Sequence, residues 1–553
     1  MTKREGDHMQ RTLRHQALSQ HLHTGIAILA LALFCLFICG CSTTSTGEQT
    51  PEQPVSQIVP SKLAIVHTGG MEGAYKREGR SMGLAAIKGL ATQLEGEGYE
   101  VLTLDSGNSL GGSAVSNLMD GETAVGFINA AGYDAMALGK LELALGTSTL
   151  SKRFSQSDFK YLSANVLDAQ SREPLTSTRF IHTLTDGRSV GVFGLTSPSG
   201  TEGLGPLASA GVTLSYTDLE TIAKQQVSEL KAQGCRLIVC LTCLGFDEQG
   251  LPLANHIAST VDGIDVLLDA STGDTSQRTQ TSESGYDSLV IETASGLEAA
   301  SVVIWEQSKL STRTVDAQSA KKDDEQVASL VTQAYTELDR QLAKVVCISQ
   351  EALPAERALT GSCGLGQLVA DTILWEASRG VTKGPDAALV CASTLKASLP
   401  KGDITNAGIL SVLPHTSNRL CTMEITGGRL EQALQPLFAN PVQPSESMPQ
   451  VSGIVYAFEQ QEGDAAAGHW VIQSVGGKPF SSQDTYTVVT SESLVASGGA
   501  LQSLVGDSGN LSDLGTSADK ALSNYLAQEC KGSMPERYLE LPAEAPAEEA
   551  SSS

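Results

Sequence analysis

The chain has 553 residues, which is more than one hydrophobic core usually organises, so the sequence predicts two or three domains. Hydrophobic residues make up 41% of the chain and charged residues 18%, a balance typical of globular proteins. The net charge of −25 argues against nucleic acid as a partner, because the chain has no basic field to attract phosphates.

The N-terminal stretch has the order of a bacterial lipoprotein signal: basic residues, an apolar run, and a small residue before a cysteine. The apolar run extends from Gly25 to Ile38, and Cys41 follows it closely. This run is shorter than the ~20 residues that span a bilayer, which favours the signal over a transmembrane helix. We therefore predict a lipoprotein signal peptide over 1–41. Cys41 would carry the lipid that anchors the protein to the membrane, at the bacterial cell envelope outside the cytoplasm.

Residues 42–60 are rich in Ser, Thr, Pro and Gln and predict a flexible tether. From 61 to 315, apolar runs alternate with helical stretches, which predicts a layered α/β domain. The expected strands are 63–67, 100–104, 134–138, 189–195, 236–241, 264–269 and 288–294. The expected helices include 83–95, 122–131 and 217–233.

Residues 316–345 form a charged stretch that predicts an amphipathic helix between two domains. Its apolar residues recur at helical spacing: Val327, Leu330, Val331 and Tyr335. A second α/β domain is predicted over 346–541. The acidic, low-complexity tail over 542–553 is predicted to be disordered.

Eight cysteines lie beyond the predicted signal, and their spacing leaves any disulfide pairing open. Three of them lie in one apolar run, CRLIVCLTCLG: Cys235, Cys240 and Cys243. We interpret this run as a strand with small buried thiols, since no further ligands for a metal cluster lie nearby in sequence.

Eleven short stretches of the sequence occur in the same order as the motifs of one known protein family. The N-terminal set is IVHTGGMEG, LTLDSGNSLGGSAVSNLMDGE, INAAGYDAMALGKLELALG, IVCLTCLG and IDVLLDASTGDT. The C-terminal set is GLGQLVADTI, ALVCASTLKASLPKGDIT, VLPHTSNRL, MEITGGRLEQAL, VSGIVYAF and TYTVVTSESLVASGGA. The ordered set resembles the bacterial and ecto-5′-nucleotidases. The resemblance implies an N-terminal metallophosphoesterase-like layered α/β/β/α domain, a linker helix and a C-terminal 5′-nucleotidase-type α/β domain.

The resemblance also implies hydrolysis of phosphomonoesters by two divalent ions, Zn or Mn, bound by side chains from several loops. In this chain every position that matches a family metal ligand differs from the family pattern: Gly70, Glu72, Asn108, Lys140, Cys243, Ser271 and Gly273. The positions of the catalytic His and of the Asp that orients it hold Leu141 and Ala144. An ammonium at Lys140 repels a dication, and Leu141 cannot transfer a proton. We therefore expect no metal cofactor and no catalytic residue here.

Seven residues keep their family places and are expected to act as scaffold: His67, Thr68, Asp105, Gly107, Gly139, Glu142 and Gly245. We interpret His67 as a hydrogen-bonded turn histidine and Asp105 as a cap of its turn. The retained glycines suit turns with unusual backbone angles.

The nucleotide pocket implied by the resemblance is altered in a similar way. The family stacks a base between two aromatic rings, whose positions hold His415 and Leu494. The position of a phosphate-binding arginine holds Lys396, which keeps the charge but loses the bidentate fork. Leucine offers no π-face, so these three residues are expected to be relics of a binding site.

Three functional hypotheses follow from these residues. The first is a surface lipoprotein of the 5′-nucleotidase family that is catalytically inactive and acts as a binding or scaffold protein, with a nucleotide-like ligand or a protein as partner. The alternative is an active 5′-nucleotidase or phosphomonoesterase that releases phosphate from extracellular nucleotides with a rearranged metal site. The third is a thiol enzyme that uses Cys243 or Cys391. It is disfavoured because neither cysteine has a histidine nearby in sequence.

Overall fold

The computed structural model describes residues 61–197, 212–214, 219–247, 249–414, 419–437, 444–461, 464–496, 501–505 and 511–539. The predicted signal with Cys41, the tether and the acidic tail lie outside the described residues, as does His415. Contacts divide the chain into Met1–Ile58 and Val59–Ser553, and every described residue belongs to the second unit.

The N-terminal half contains fourteen of the strands, in chain order. They are β1 Lys62–Thr68, β2 Tyr99–Asp105, β3 Ala135–Ala137, β4 Lys160–Leu162, β5 Val166–Asp168, β6 Arg179–Thr183, β7 Ser189–Thr196, β8 Val212–Leu214, β9 Cys235–Cys243, β10 Val266–Asp269, β11 Ser276–Thr281, β12 Asp287–Glu292, β13 Ala299–Glu306 and β14 Lys309–Asp316. Most of them form two six-stranded sheets, with the orders β14-β13-β1-β2-β3-β4 and β11-β12-β10-β9-β7-β6.

Helices cover the outer faces of these two sheets. The helices of this half are α1 Gly83–Gly96, α2 Ala114–Asn117, α3 Glu122–Ala131, α4 Lys140–Leu143, α5 Gly146–Gln156, α6 Leu219–Ala232 and α7 Leu253–Thr260. One core lies between the sheets, a second lies between the first sheet and α1 and α3, and a third lies between the second sheet and α6 and α7. This arrangement confirms the predicted α/β/β/α layers.

Strand β9 has a continuous apolar sequence because both of its faces are buried. Leu237 and Val239 point into the core between the sheets, whereas Ile238 and Cys240 point into the core under the helices. A strand buried on both faces needs a continuous apolar run rather than alternation. Cys235 and Cys240 are buried in this strand, which confirms their interpretation as small buried thiols, whereas Cys243 at the end of the strand is half-buried.

The linking segment forms a shorter helix than predicted, α8 Glu325–Leu342. It begins where the Asp324 carboxylate accepts hydrogen bonds from two backbone amides of the first turn, an N-cap. Val327 and Val331 are buried in the core beside α1 and α3, but Leu330 is 40% exposed. Leu330 differs from the prediction because it lies about 100° around the helix from Val331 and leaves the buried stripe.

The C-terminal half is a second α/β region with its own core. Its strands are β15 Val345–Ser349, β16 Ala387–Cys391, β17 Gly402–Thr405, β18 Arg419–Thr426, β19 Pro449–Ser452, β20 Ile454–Gln461, β21 Asp464–Val475, β22 Lys478–Pro479, β23 Thr485–Ser491 and β24 Leu511–Ser517. Its helices are α9 Gly364–Ser378, α10 Asn406–Val412, α11 Gly427–Leu434, α12 Glu492–Val495, α13 Gln502–Val505 and α14 Ala518–Gln528. The main sheet has the order β19-β16-β23-β18-β24. Within the described part of the chain, no helix has the length and apolar character needed to cross a membrane.

Candidate functional site

The candidate site is the set of loops that follow five strands of the N-terminal half. Strands β1, β2 and β3 run parallel in the first sheet, and β9 and β10 run parallel in the second. The carboxyl ends of parallel strands meet at one edge of a sheet, so their loops converge. The predicted metal positions all fall in these loops or, for Cys243, at the end of β9.

Asn108 lies at the centre of the loops and joins three of them. Its Oδ1 accepts a hydrogen bond from the backbone amide of Leu141 at 3.0 Å, and its Nδ2 donates to Cys243 Sγ at 3.2 Å. Its backbone has a φ of 58°, a left-handed conformation that asparagine tolerates better than most residues. Both ends of the Asn108 amide are therefore occupied by protein partners.

The carboxylate of Glu142 ties the second loop to the third. It is fully buried and accepts hydrogen bonds from four backbone amides: Asn108 at 2.8 Å, Ser109 at 2.7 Å, Leu110 at 2.8 Å and Gly139 at 2.8 Å. These contacts agree with the scaffold role expected of Glu142, although its partners were not predicted. The sequence feature that indicates this contact is the position of Glu142 three residues after Gly139. A glutamate at this position can accept a hydrogen bond from the backbone amide of the N-cap residue.

Gly139 allows the second and third loops to approach closely. A Cβ at Gly139 would lie 2.4 Å from Asn108 Oδ1 and 2.5 Å from the backbone nitrogen of Asn108. No side chain fits at these separations unless the backbone moves, so the retained glycine is a packing requirement of the turn.

We expect Gly139→Ala to lower the free energy of unfolding by about 1–3 kcal/mol, because the loops must separate to admit the methyl group. Gly126→Ala is the matched control. Gly126 lies within α3, and nothing lies within 4 Å of a Cβ at that position. Since alanine is the better helix former, Gly126→Ala should raise stability by up to about 1 kcal/mol. Urea unfolding of both variants checks this, and equal effects would contradict the packing argument.

His67 lies at the end of β1 and is fully buried in a network of hydroxyl groups. Its Nδ1 pairs with Thr293 Oγ1 at 2.7 Å and its Nε2 with Ser106 Oγ at 2.7 Å. Burial lowers the pKa of His67 to about 3, since the charged ring would lose its hydration. His67 is thus a neutral, fully bonded residue of the interior, within strand β1 rather than in the turn where the sequence analysis placed it.

Asp105 is the buried carboxyl group at the end of β2. It accepts hydrogen bonds from Thr68 Oγ1, the Gly107 amide and Ser109 Oγ, each at 2.8 Å. Burial raises the pKa of Asp105 to about 7, against the opposing effect of these hydrogen bonds. The bonds to Gly107 and Ser109 agree with the expected capping of its turn.

The second sheet contributes Cys243 and Ser271, organised by buried Asp269. Ser271 Oγ donates to Asp269 Oδ1 at 3.0 Å and accepts from the Gly245 amide at 2.8 Å. Burial raises the pKa of Asp269, and burial together with nearby carboxylates raises the pKa of the Cys243 thiol. A thiol whose charged form is disfavoured is a poor nucleophile and a poor metal ligand.

The remaining predicted positions offer little to a cation. Gly70 and Gly273 have no side chain, and a Cβ at either would face Ser295. Glu72 and Lys140 are exposed, and Ala144 is exposed beyond the end of α4.

A pair of Zn or Mn ions requires several oxygen and imidazole donors, with a carboxylate to bridge them. In these loops the Asn108 amide, the Ser271 hydroxyl and the Asp105 carboxyl are already hydrogen-bonded to protein groups. Among the described residues, no three His, Cys, Asp or Glu side chains are grouped so that they could hold a metal ion. The donor set does not fit a two-metal centre.

The predicted nucleotide-binding positions lie in different environments of the C-terminal half. Leu494 is buried in the core, and its carbonyl oxygen accepts a hydrogen bond from the Leu501 amide at 2.8 Å. Lys396 is exposed, and its backbone amide donates to the Val412 carbonyl at 2.9 Å. Leu494 therefore acts as a core residue.

Comparisons with known proteins bear on both halves of the chain. A family profile described as the 5′-nucleotidase C-terminal domain matches residues 344–505. The trifunctional nucleotide phosphoesterase YfkN of Bacillus subtilis is 25% identical over 496 residues, which cover 79% of this chain and 33% of that protein. A 5′-nucleotidase of Vibrio vulnificus is 30% identical over 239 residues, 42% of this chain and 41% of that protein. The chain thus spans less than half the length of these relatives.

A solved structure agrees with the fold. The putative 5′-nucleotidase of Staphylococcus aureus superposes with a TM-score of 0.52 at 17% identity, over 85% of this chain and 97% of that chain. At this identity the similarity concerns the architecture alone.

Proposed function

We propose that this chain, which belongs to the 5′-nucleotidase family, is a non-hydrolytic member of that family that serves as a binding or scaffold lipoprotein at the bacterial cell surface. The observation that carries the proposal is the state of Asn108. Asn108 lies at the position where the family resemblance implies a bridging carboxylate. Its side-chain amide is instead hydrogen-bonded to the Leu141 backbone and to the Cys243 sulfur. These hydrogen bonds join the loops directly through protein groups.

Electrostatics supports the same proposal. Lys140 begins α4, directly after the loop junction, and brings an ammonium where the resemblance implies a neutral ligand. A dication there would meet repulsion, and no carboxylate at the predicted ligand positions except exposed Glu72 would offset it. Transfer of a phosphoryl group needs cationic stabilisation of the transition state, and Lys140 is the one cation at the predicted ligand positions.

The loop after β9 favours a binding role. Phe246 and Leu251 are both exposed, and the loop that carries them is held by a hydrogen bond from the Asp247 amide to the Leu251 carbonyl at 2.9 Å. Two large exposed apolar side chains in the segment that follows Cys243 suit contact with a protein partner. A nucleotide-like ligand is the other partner that the family implies.

The second candidate is an active phosphomonoesterase with rearranged ligands. Glu72 favours it, because its backbone amide donates to the Asn108 carbonyl at 3.1 Å and its exposed carboxylate lies on the same set of loops. This candidate requires two divalent ions, Zn or Mn, held by a rearranged set of ligands of which Glu72 would be one.

One experiment distinguishes the two candidates. The full-length protein is incubated with Zn or Mn, its bound metal is measured by elemental analysis, and phosphate release from AMP is followed. We expect metal well below one equivalent per chain and phosphate release equal to the buffer control. Stoichiometric metal, with phosphate release that is lost in Glu72→Ala and Asn108→Ala, would establish the active candidate instead.

A further inference from the structure

Two cysteines of the C-terminal half lie side by side in its core. Cys347 is on β15 and is 1% exposed, and Cys530 lies just beyond the end of α14 and is 6% exposed. Each thiol affects the pKa of the other, as close neighbours do, and the Cys347 thiol also donates a hydrogen bond to the Ile348 carbonyl at 3.6 Å. They are 183 residues apart in sequence, so the fold alone brings them together.

Backbone hydrogen bonds hold the two sulfurs in this position. The Ile348 amide donates to the Gly532 carbonyl at 3.0 Å, and the Met534 amide donates to the Ile348 carbonyl at 2.8 Å. The Ser533 amide closes the turn by donating to the Cys530 carbonyl at 2.9 Å. The residue after Cys347 is thus clamped to the turn that carries Cys530.

The other cysteines have different neighbours. Cys243 accepts from Asn108, Cys363 accepts from the Gly366 amide at 3.3 Å, and Cys421 donates to the Thr490 carbonyl at 3.7 Å. All eight cysteines of the described residues are free thiols in this structure. Cys347 and Cys530 differ because they are buried in one core on two segments that are hydrogen-bonded to each other next to both residues.

We propose that Cys347 and Cys530 are a disulfide-forming pair that fastens the end of the C-terminal half to strand β15 when the protein meets a disulfide oxidant. One protein thiolate attacks the disulfide of a small-molecule or protein oxidant, forms a mixed disulfide and releases one thiolate, which takes up a proton. The second protein thiolate then displaces the other half, which leaves as a second thiol. Two protein thiols and one disulfide thus become one protein disulfide and two thiols, with two protons transferred.

This bond suits a protein outside the cytoplasm, where disulfides persist. It closes a long loop, and a long loop gives a cross-link a large effect on the entropy of the unfolded chain. It depends neither on metal binding nor on hydrolysis, so it stands apart from the proposed function.

Thiol mapping tests the pair. The full-length protein is incubated with oxidised glutathione at temperatures up to just below its unfolding midpoint, so that local opening exposes the buried thiols. It is then denatured, alkylated and digested, and a reduced sample is treated in parallel. We expect one cross-linked peptide pair that contains Cys347 and Cys530, with the other cysteines alkylated. Alkylation of both residues, glutathione adducts without a cross-link, or a different pairing would overturn the proposal.

Thermal unfolding gives a second readout. We expect the oxidised protein to melt roughly 5–15 °C above the reduced protein. This gap should vanish in Cys347→Ser and Cys530→Ser and persist in Cys421→Ser, which removes a buried thiol of the same core. An unchanged gap in both pair variants would overturn the proposal, and thiol mapping of the wild-type protein decides the matter if those variants do not fold.

Discussion

Replacing Glu142 by alanine is expected to lower the free energy of unfolding by about 4 kcal/mol. The carboxylate is buried and accepts from four backbone amides, all of which would lose their partner in the variant. A buried donor without an acceptor costs about 1–3 kcal/mol, and water entering the vacated space recovers part of the sum. Urea unfolding at neutral pH measures the loss.

Two further glutamate variants sharpen this prediction. Glu72→Ala removes an exposed carboxylate from a neighbouring loop and should change stability by less than about 0.5 kcal/mol. Glu142→Gln keeps one acceptor oxygen but places an amide group against backbone donors, so its effect should lie between those of the two alanine variants. A loss below about 1 kcal/mol for Glu142→Ala would show that the four hydrogen bonds do not hold the loops.

Glu142 and Asn108 together explain how these loops keep their shape. Loops that bind metal ions are usually held by the bonds to those ions, and many such proteins lose structure with the metal. Here the side chains of Glu142 and Asn108 make four hydrogen bonds between the second and third loops, Glu142 makes one more within the third loop, and the Asn108 amide adds one to Cys243. An internal network of this kind would keep these loops in place in the metal-free protein that the proposed function describes.

The layered fold of the N-terminal half could be predicted because its strands are buried on both faces. Continuous apolar runs such as the one in β9, alternating with amphipathic helices, leave few other architectures. Helix α3 begins and ends at the predicted residues, Glu122 and Ala131, because glycine residues flank it on both sides. The linker helix was predicted too long, since charge and spacing alone did not identify Asp324 as its cap.

The contacts of the candidate site could not be predicted in the same way. Asn108 and Cys243 are 135 residues apart, and their hydrogen bond depends on how two separate sheets face each other. The positions themselves were found only because motifs matched in order, and a motif does not show which partner a side chain takes. Cys347 and Cys530 illustrate the same limit, because the spacing of eight cysteines leaves many pairings open.

The pH dependence of stability is expected to reveal two buried groups that act in opposite directions. The pKa of His67 is about 3 in the folded protein, below its usual value, so its contribution is complete above pH 6.5 and declines as pH falls toward 3. The pKa of Asp105 is about 7 when folded, above its usual value, so its contribution is complete below pH 3.8 and is lost as pH rises through 7. Between pH 5 and 8 the two largely cancel.

Single substitutions should therefore separate them. Raising the pH from 5 to 8 should stabilise Asp105→Asn relative to wild type by about 2–3 kcal/mol, because the variant does not have the cost of ionising Asp105 in the folded protein. His67→Gln should change in the opposite sense, by about 2 kcal/mol. The contributions of other buried groups such as Asp269 are the same in the variants and in wild type, so they cancel in the comparison. His256→Gln, which replaces an exposed histidine, is the control and should follow the wild-type curve. Unfolding free energies measured between pH 5 and 8 check this prediction. Asp105 binds its proton more tightly in the folded protein, whereas His67 binds its proton more tightly in the unfolded chain. A change of the same sign relative to wild type in both variants would therefore contradict the prediction.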